Sequence, residues 1–154
     1  MKQNSTVKEQ ALNPQAVGNA PQRHAPAGDD LDARVITALQ AASEKKAIDI
    51  VVLDLREIAS FTDYFVIASG ANERQVQAIS DEVYERLKKL GAPAARVEGY
   101  KTAEWILLDY GDFVVHVFEQ KARHFYDLER LWRESKPVEL PPGINTESDS
   151  SLRR

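Results

Sequence analysis

The most informative stretch of the sequence is an apolar run that leads through a turn into a long amphipathic segment. Residues 63–69 read DYFVIAS, and their apolar centre predicts a strand buried on both faces. Gly70, Ala71 and Asn72 follow as a turn, with Asn72 a candidate N-cap, and residues 73–90 carry apolar side chains at helical spacing. A strand followed by a crossover helix predicts a parallel pair of strands and therefore an α/β fold.

The elements around this unit predict a mixed sheet of about five strands flanked by helices. A helix is expected over residues 31–46, with Asp29 or Asp30 as its N-cap, and a strand is expected over residues 48–55. The order along the chain is α-β-β-α-β-β-β-α, which is typical of a single α/β domain.

The C-terminal part of the domain predicts three short strands and a last helix. The strands are expected over residues 95–100, 104–110 and 113–119, and Gly111 with Asp112 predicts a tight hairpin between the second and the third. The last helix is expected over residues 122–132. Its predicted core stripe is Phe125, Leu128 and Leu131, with Trp132 at the edge.

Composition divides the chain into one folded domain and two terminal segments. Residues 1–28 are rich in Asn, Gln, Pro, Ala and Gly, which predicts disorder because so few apolar side chains cannot offset the lost chain entropy. Residues 141–154 have the same character. The folded domain is therefore expected over residues 29–140, and this length suffices for a single core.

Charge and cysteine content limit the partners and the chemistry. The net charge is −4, and residues 29–140 hold 21 acidic and 15 basic side chains. This balance argues against direct nucleic-acid binding, which needs clustered Lys and Arg, and leaves a basic protein partner open. The absence of Cys excludes disulfides and thiolate metal sites and is compatible with a cytoplasmic location. Neither a membrane span nor a secretory signal is expected.

No catalytic motif is recognisable. His24, His116 and His124 lie in no metal-ligand motif, and the turn at residues 69–72 lacks the Lys and the glycines of a phosphate loop. Asp109 and Asp112 could in principle hold Mg²⁺, but no third oxygen ligand can be named, and turn-forming roles fit them better. We therefore expect no catalytic residue, no metal site and no cofactor.

Residues 104–119, with the sequence EWILLDYGDFVVHVFE, place a tryptophan beside a carboxylate. One face of the first strand in this stretch carries Trp105, Leu107 and Asp109. An uncovered sheet face of this kind is typical of a protein-binding patch. A central strand buried by helices on both sides has the same pattern, so both interpretations are open at this point.

An ordered series of motifs makes the sequence resemble a known family. The series is DYFVIASG, RQV, EG, W-I-L-L-D-x-G-D, H-V-F and FY-x-L-E-x-L-W, and with these motifs the chain resembles the ribosomal silencing factor (RsfS, or Iojap) family over residues 31–132. The resemblance implies a nucleotidyltransferase-like fold without that fold's catalytic site. It also implies a non-enzymatic factor that binds the large ribosomal subunit through ribosomal protein uL-fourteen. Such a factor blocks joining of the small subunit and represses translation under nutrient limitation or in stationary phase.

The resemblance assigns candidate contact residues. Trp105 matches the tryptophan of the W-I-L-L-D-x-G-D motif, Asp109 and Asp112 match its two acids, and Leu107 shares a strand face with Trp105. The implied roles are an apolar anchor for Trp105 and partners of basic side chains for the two acids. A homodimer is open. The alternative functions are a large-subunit assembly factor and, less favoured, a nucleotide-binding enzyme that uses the turn at residues 69–72.

Overall fold

A six-stranded mixed sheet with helices on both faces forms the centre of the molecule. The computed structural model describes residues 6–14 and 31–144. In chain order the elements are α1 (Val7–Leu12), α2 (Ala33–Glu44), β1 (Ile48–Asp54), β2 (Tyr64–Gly70), α3 (Glu73–Lys89), β3 (Arg96–Glu98), β4 (Trp105–Asp109), β5 (Phe113–Glu119), α4 (Gln120–Tyr126), α5 (Leu128–Leu131) and β6 (Lys136–Val138).

The strand order is β3-β4-β5-β2-β1-β6. The central pair, β2 and β5, is parallel, with Tyr64 opposite Phe113 and Gly70 opposite Glu119. The other pairs in the sheet are antiparallel. Helix α3 carries the chain from β2 across the sheet to β3 at the far edge. These features confirm the α/β class and the presence of a parallel pair. The parallel partner of β2 is β5, however, and not β3, the strand to which the crossover helix leads directly.

The sheet has one strand more than the five expected. Strand β6 pairs antiparallel with β1 at the sheet edge, and Pro137 lies opposite Leu53. A proline has no amide hydrogen to donate and is tolerated on an edge strand. A three-residue run that contains proline carries no alternating pattern, so the sequence alone did not indicate a strand here.

Each sheet face is covered by a different set of helices. Helices α2 and α3 cover one face through an apolar stripe that includes Leu39, Val76, Ile79 and Val83. The opposite face is here named the Trp105 face, and its buried side chains pack against residues of α1 and α5. The sheet residues that define it are Phe65, Trp105, Leu107, Val114 and Phe118.

The caps of the two long helices agree with local sequence signals, with one shift. The Asn72 side chain caps α3 as expected and accepts a hydrogen bond from the Gln75 amide at 2.9 Å. Gly91 follows the helix with a φ of 85°. The N-cap of α2 is Asp32, whose carboxylate accepts from the Arg34 amide at 2.8 Å. The expectation that Asp29 or Asp30 caps α2 is therefore wrong.

The last predicted helix is divided in two. Asp127 has a left-handed backbone, with φ 50° and ψ 55°, which separates α4 from α5. The break changes the helical phase, so residues before and after it do not share one face. Phe125 is consequently 80% exposed rather than part of the core, and Trp132 is 1% exposed rather than at an edge. Both expectations are therefore wrong.

Helix α1 lies inside the N-terminal segment for which composition predicts disorder. Thr6 and Glu9 form a capping box, in which each side chain accepts a hydrogen bond from the other residue's amide at 3.1 Å. Val7 and Ala11 are buried against the Trp105 face. Disorder is therefore wrong for these residues. Residues 1–5, residues 15–28 and residues 145–154 lie outside the described part of the chain.

Candidate protein-binding site

Trp105 lies at the start of β4 and is 3% exposed. Its indole N–H donates a hydrogen bond to Nδ1 of His116 at 3.0 Å. The ring centroid lies 5.0 Å from that of Phe118 and 4.8 Å from that of Tyr126. The indole is thus oriented within the fold by one hydrogen bond and by two aromatic neighbours.

His116 is fully buried on the same face. Burial, with a smaller contribution from the positive charge of Lys8, lowers the pKa of His116 to about 3. The imidazole is therefore neutral at physiological pH. Because Nδ1 accepts from Trp105, the ring proton is assigned to Nε2, an atom with no hydrogen-bond partner in the described structure.

Leu107 is completely buried in the centre of the Trp105 face, opposite His116 of β5. Together with the burial of Trp105, this decides between the two interpretations that the sequence left open: β4 is covered on both sides. Leu107 packs in the apolar interior between the sheet and its covering helices. Trp105 can be reached by another molecule only if a covering element is displaced.

The two acidic candidates lie apart from the tryptophan. Asp109 is four residues further along β4, about 13 Å from Trp105 at strand spacing. Its carboxylate accepts from the Gly111 amide at 2.9 Å and shapes the hairpin turn. The Asp112 side chain is 70% exposed and pairs with Arg34 at 2.9 Å. The structure therefore brings Trp105 and Leu107 together and places both acids at the opposite end of the hairpin.

Helix α1 contributes residues to this region that sequence reasoning missed. The Lys8 ammonium lies 4.6 Å from the centroid of the Trp105 ring and donates to the Trp105 carbonyl oxygen at 2.7 Å. The Trp132 indole N–H donates to the Ala11 carbonyl at 2.6 Å. The available signal was the capping-box spacing of Thr6 and Glu9 in an otherwise polar segment.

The turn at residues 69–72, the candidate site for nucleotide binding, is occupied by the side chain of Gln75. Its side-chain oxygen accepts from the Ala71 amide at 2.7 Å, and its side-chain nitrogen donates to the carbonyls of Lys45 and Lys46. A Cβ added at Gly70 would lie 2.9 Å from the Val76 amide nitrogen, so helix and strand are in close contact here. An amide that a phosphate would need is already engaged within the protein.

The described residues offer neither a group of metal ligands nor a helix suited to cross a membrane. Within residues 6–14 and 31–144, no group of three or more His, Asp or Glu side chains is arranged to hold a metal ion. None of the helices in that same part of the chain is long and apolar enough to cross a membrane.

Comparison with known proteins gives consistent results over the folded domain. A family model described as "Ribosomal silencing factor during starvation" matches residues 29–153. "Ribosomal silencing factor RsfS" of Halalkalibacterium halodurans is 43% identical over 103 residues, which cover 67% of this chain and 88% of that protein. A crystal structure from Bacillus halodurans superposes with a TM-score of 0.62 at 42% identity and covers 69% of this chain and 96% of that one.

A more distant relative has a name that concerns ribosome assembly. "Mitochondrial assembly of ribosomal large subunit protein 1" of Mus musculus is 34% identical over 92 residues. The match covers 58% of this chain and 40% of the mouse protein, so the similarity is confined to part of that longer chain.

Proposed function

This chain belongs to the RsfS family of ribosomal silencing factors, and we propose that it represses translation by binding the large ribosomal subunit. The contact is with ribosomal protein uL-fourteen, and the bound factor sterically blocks association with the small subunit. The proposed setting is the cytoplasm under nutrient limitation or in stationary phase. The observation that carries the proposal is the ordered motif series over residues 31–132, which lies inside the family match.

The charge distribution supports a basic protein partner. The domain has an excess of acidic side chains, and Asp112 presents a mostly exposed carboxylate at the tip of the β4–β5 hairpin. Opposite charges on two surfaces speed their encounter and set their register, while buried apolar contacts supply most of the affinity. Asp109 and Asp112 are accordingly the proposed partners of basic side chains.

Trp105 is the proposed apolar anchor. A partner reaches this indole only after it displaces the covering element. The indole is already held by His116 and by two aromatic rings, so little of its own side-chain entropy is lost in that contact. Leu107 is proposed to act indirectly, because it is fully buried on the same strand as the anchor and packs in the same apolar cluster. The proposed activity is binding without catalysis and without a cofactor.

Sedimentation with isolated ribosomal subunits tests this function. The full chain should migrate with large subunits and not with small subunits. If the protein stays at the top of the gradient with both subunits at micromolar concentration and moderate salt, the proposed function is wrong. Sedimentation of the protein alone checks whether it forms a homodimer, which stays a prediction.

A role in large-subunit assembly is the second candidate function, favoured by the name of the mouse relative. The two functions predict different defects in cells that lack the protein. Loss of an assembly factor leaves incomplete large subunits during growth. Loss of a silencing factor leaves complete subunits, which stay joined when nutrients are withdrawn.

A further inference from the structure

We propose that α1 is an internal occupant of the Trp105 face and competes with the ribosomal partner for it. The helix would thereby weaken binding until it is displaced. This inference rests on the proposed function, because it concerns the regulation of the same site.

The first support is the position of α1 on the anchor residue. Lys8 lies over the Trp105 ring and also donates to the carbonyl of the same residue. Val7 and Ala11 are 6% and 0% exposed, and the Ala11 carbonyl accepts from the Trp132 indole. The helix therefore occupies the outer side of the residue that we propose as the apolar anchor.

The second support is the chemistry of the contact. A basic side chain, Lys8, sits on an aromatic ring within the electrostatic reach of Glu98 and Glu104. The two acids proposed for the partner's basic side chains lie elsewhere, at the hairpin tip. Lys8 instead covers the proposed anchor itself, so a partner that contacts the Trp105 ring has to displace this lysine.

Gly99 lies beside the carbonyl that accepts the hydrogen bond of Lys8. Its φ is +80°, and a Cβ added there would lie 2.1 Å from the Trp105 carbonyl oxygen and 2.7 Å from Lys8 Nζ. The contact with the carbonyl alone requires glycine at this position. The loop before β4 therefore lies against the Trp105 carbonyl, and the Lys8 ammonium reaches the same carbonyl beside Gly99.

The third support is that the sheet of the domain does not include α1. This helix lies outside residues 29–153, the part that matches the family, and none of the sheet's strand pairs involves it. A helix of six residues is unstable by itself in water, so α1 keeps its shape only while docked. Burial also lowers the pKa of Lys8, with Glu98 and Glu104 opposing the shift, so docking carries a desolvation cost.

These properties describe a two-state element. A partner that needs the undocked state binds with an apparent affinity reduced by the undocked fraction. Any change that favours undocking should therefore tighten binding, even though it removes contacts from the protein.

Two variants of the full chain test the inference. Lys8→Glu places a negative charge near Glu98 and Glu104, and Ala11→Asp buries a carboxylate where α1 meets Trp132. Lys88→Glu is the matched control, because it makes the same charge change at an exposed position of α3, on the other side of the sheet. Thermal unfolding checks that the domain of each variant stays folded.

Two readouts are measured on each protein. The chain has two tryptophans, Trp105 and Trp132, and both contact α1. Release of α1 should therefore shift tryptophan emission to longer wavelength and increase quenching by acrylamide. Affinity for isolated large subunits should rise about fivefold or more for Lys8→Glu and Ala11→Asp and should be unchanged for Lys88→Glu.

The outcomes separate this inference from the proposed function. If the wild type binds large subunits and the released variants bind equally or more weakly, the competition is overturned and the function stands. If neither variant changes the emission or quenching, α1 does not cover the indoles in solution, which also overturns the inference. If no protein binds large subunits, both proposals fail.

Discussion

Trp105 donates its indole proton to Nδ1 of His116 across the β4–β5 pair, at 3.0 Å and beneath the covering helices. This hydrogen bond requires a neutral imidazole, because a doubly protonated ring has no acceptor nitrogen. The low pKa of His116 and the orientation of the proposed anchor thus have the same structural origin. Acid should therefore affect the Trp105 face before it affects exposed parts of the domain.

Stability should fall in mild acid because of His116. Its pKa is about 3 in the folded state, against 6.5 for an ordinary histidine. The unfolded chain therefore binds a proton below pH 6.5 that the folded chain does not. The stabilisation is complete above that pH and is lost progressively as the pH falls towards 3. Between pH 7.5 and pH 5 the loss is about 2 kcal/mol.

Urea unfolding at pH 7.5 and pH 5 measures this difference. His116→Leu should remove most of the histidine-dependent change, whereas His124→Gln, at an exposed position of α4, should retain it. Identical pH dependence in wild type and His116→Leu would show that His116 titrates normally.

Gly99→Ala should destabilise the protein by more than the backbone cost alone. The new Cβ would meet the Trp105 carbonyl oxygen at 2.1 Å, so we expect a loss of about 3 kcal/mol from overpacking and strain. Gly111→Ala is the matched control, because Gly111 has a similar φ of +84° but no atom of residues 6–14 or 31–144 within 4 Å of its added Cβ. It should cost about 1 kcal/mol. Denaturant midpoints compare the two, and equal losses would contradict the packing described here.

Arg123 should be a major determinant of stability. It is 5% exposed, donates to Ser69 Oγ at 2.9 Å and pairs with Glu129 at 2.7 Å, which links β2 to both C-terminal helices. Arg123→Ala leaves these groups without their partner and should cost about 3 kcal/mol. Arg130→Ala removes a pair with Asp127 that is largely exposed and should cost less than about 0.5 kcal/mol. Similar unfolding free energies for the two variants would count against the buried link.

Reversal of charge at the hairpin tip should weaken ribosome binding. Asp112→Arg places a positive charge opposite a basic partner, and we expect about tenfold weaker binding to large subunits. Glu85→Arg makes the same charge change at an exposed position of α3 and should bind like wild type. Both variants are compared by co-sedimentation at two salt concentrations. Equal affinities at low salt would remove Asp112 from the site.

Loss of the anchor should weaken binding separately from its effect on folding. Trp105→Ala should reduce large-subunit affinity by roughly 2 kcal/mol. The same substitution should also destabilise the domain by about 3–5 kcal/mol. Binding is therefore measured under conditions in which circular dichroism shows that the variant is folded. Trp132→Ala opens a comparable cavity on the same face and should bind at least as tightly as wild type. Equal weakening by both variants would indicate a general packing effect.

The sequence predicts the centre of the fold better than its edges, for physical reasons. Helix α3 and its neighbouring strands follow from local signals, namely apolar spacing, the Asn72 cap and Gly91. The break at Asp127 and the pairing of β6 depend on tertiary contacts that override local propensity. Helix α1 was missed because its two buried residues, Val7 and Ala11, gain stability only from the Trp105 face.

The same difference between local signals and tertiary contacts applies to the candidate site. The motif series identifies Trp105, Leu107, Asp109 and Asp112 as positions of interest, because motifs are a property of the chain. Burial is a property of the fold, so the sequence could not decide whether the Trp105 strand was open or covered. The covering lysine, Lys8, lies 97 positions from Trp105 in the sequence, and no local pattern connects the two residues.

The most direct test of the central claim is a subunit-joining assay followed by light scattering. Isolated large and small subunits are mixed with the full chain or with Asp112→Arg, each added to the large subunits first. Wild-type protein should lower the amplitude of joining in proportion to its occupancy of large subunits, and the variant should need a higher concentration for the same effect. Full joining at saturating occupancy by wild-type protein would contradict the proposal that this chain keeps the subunits apart.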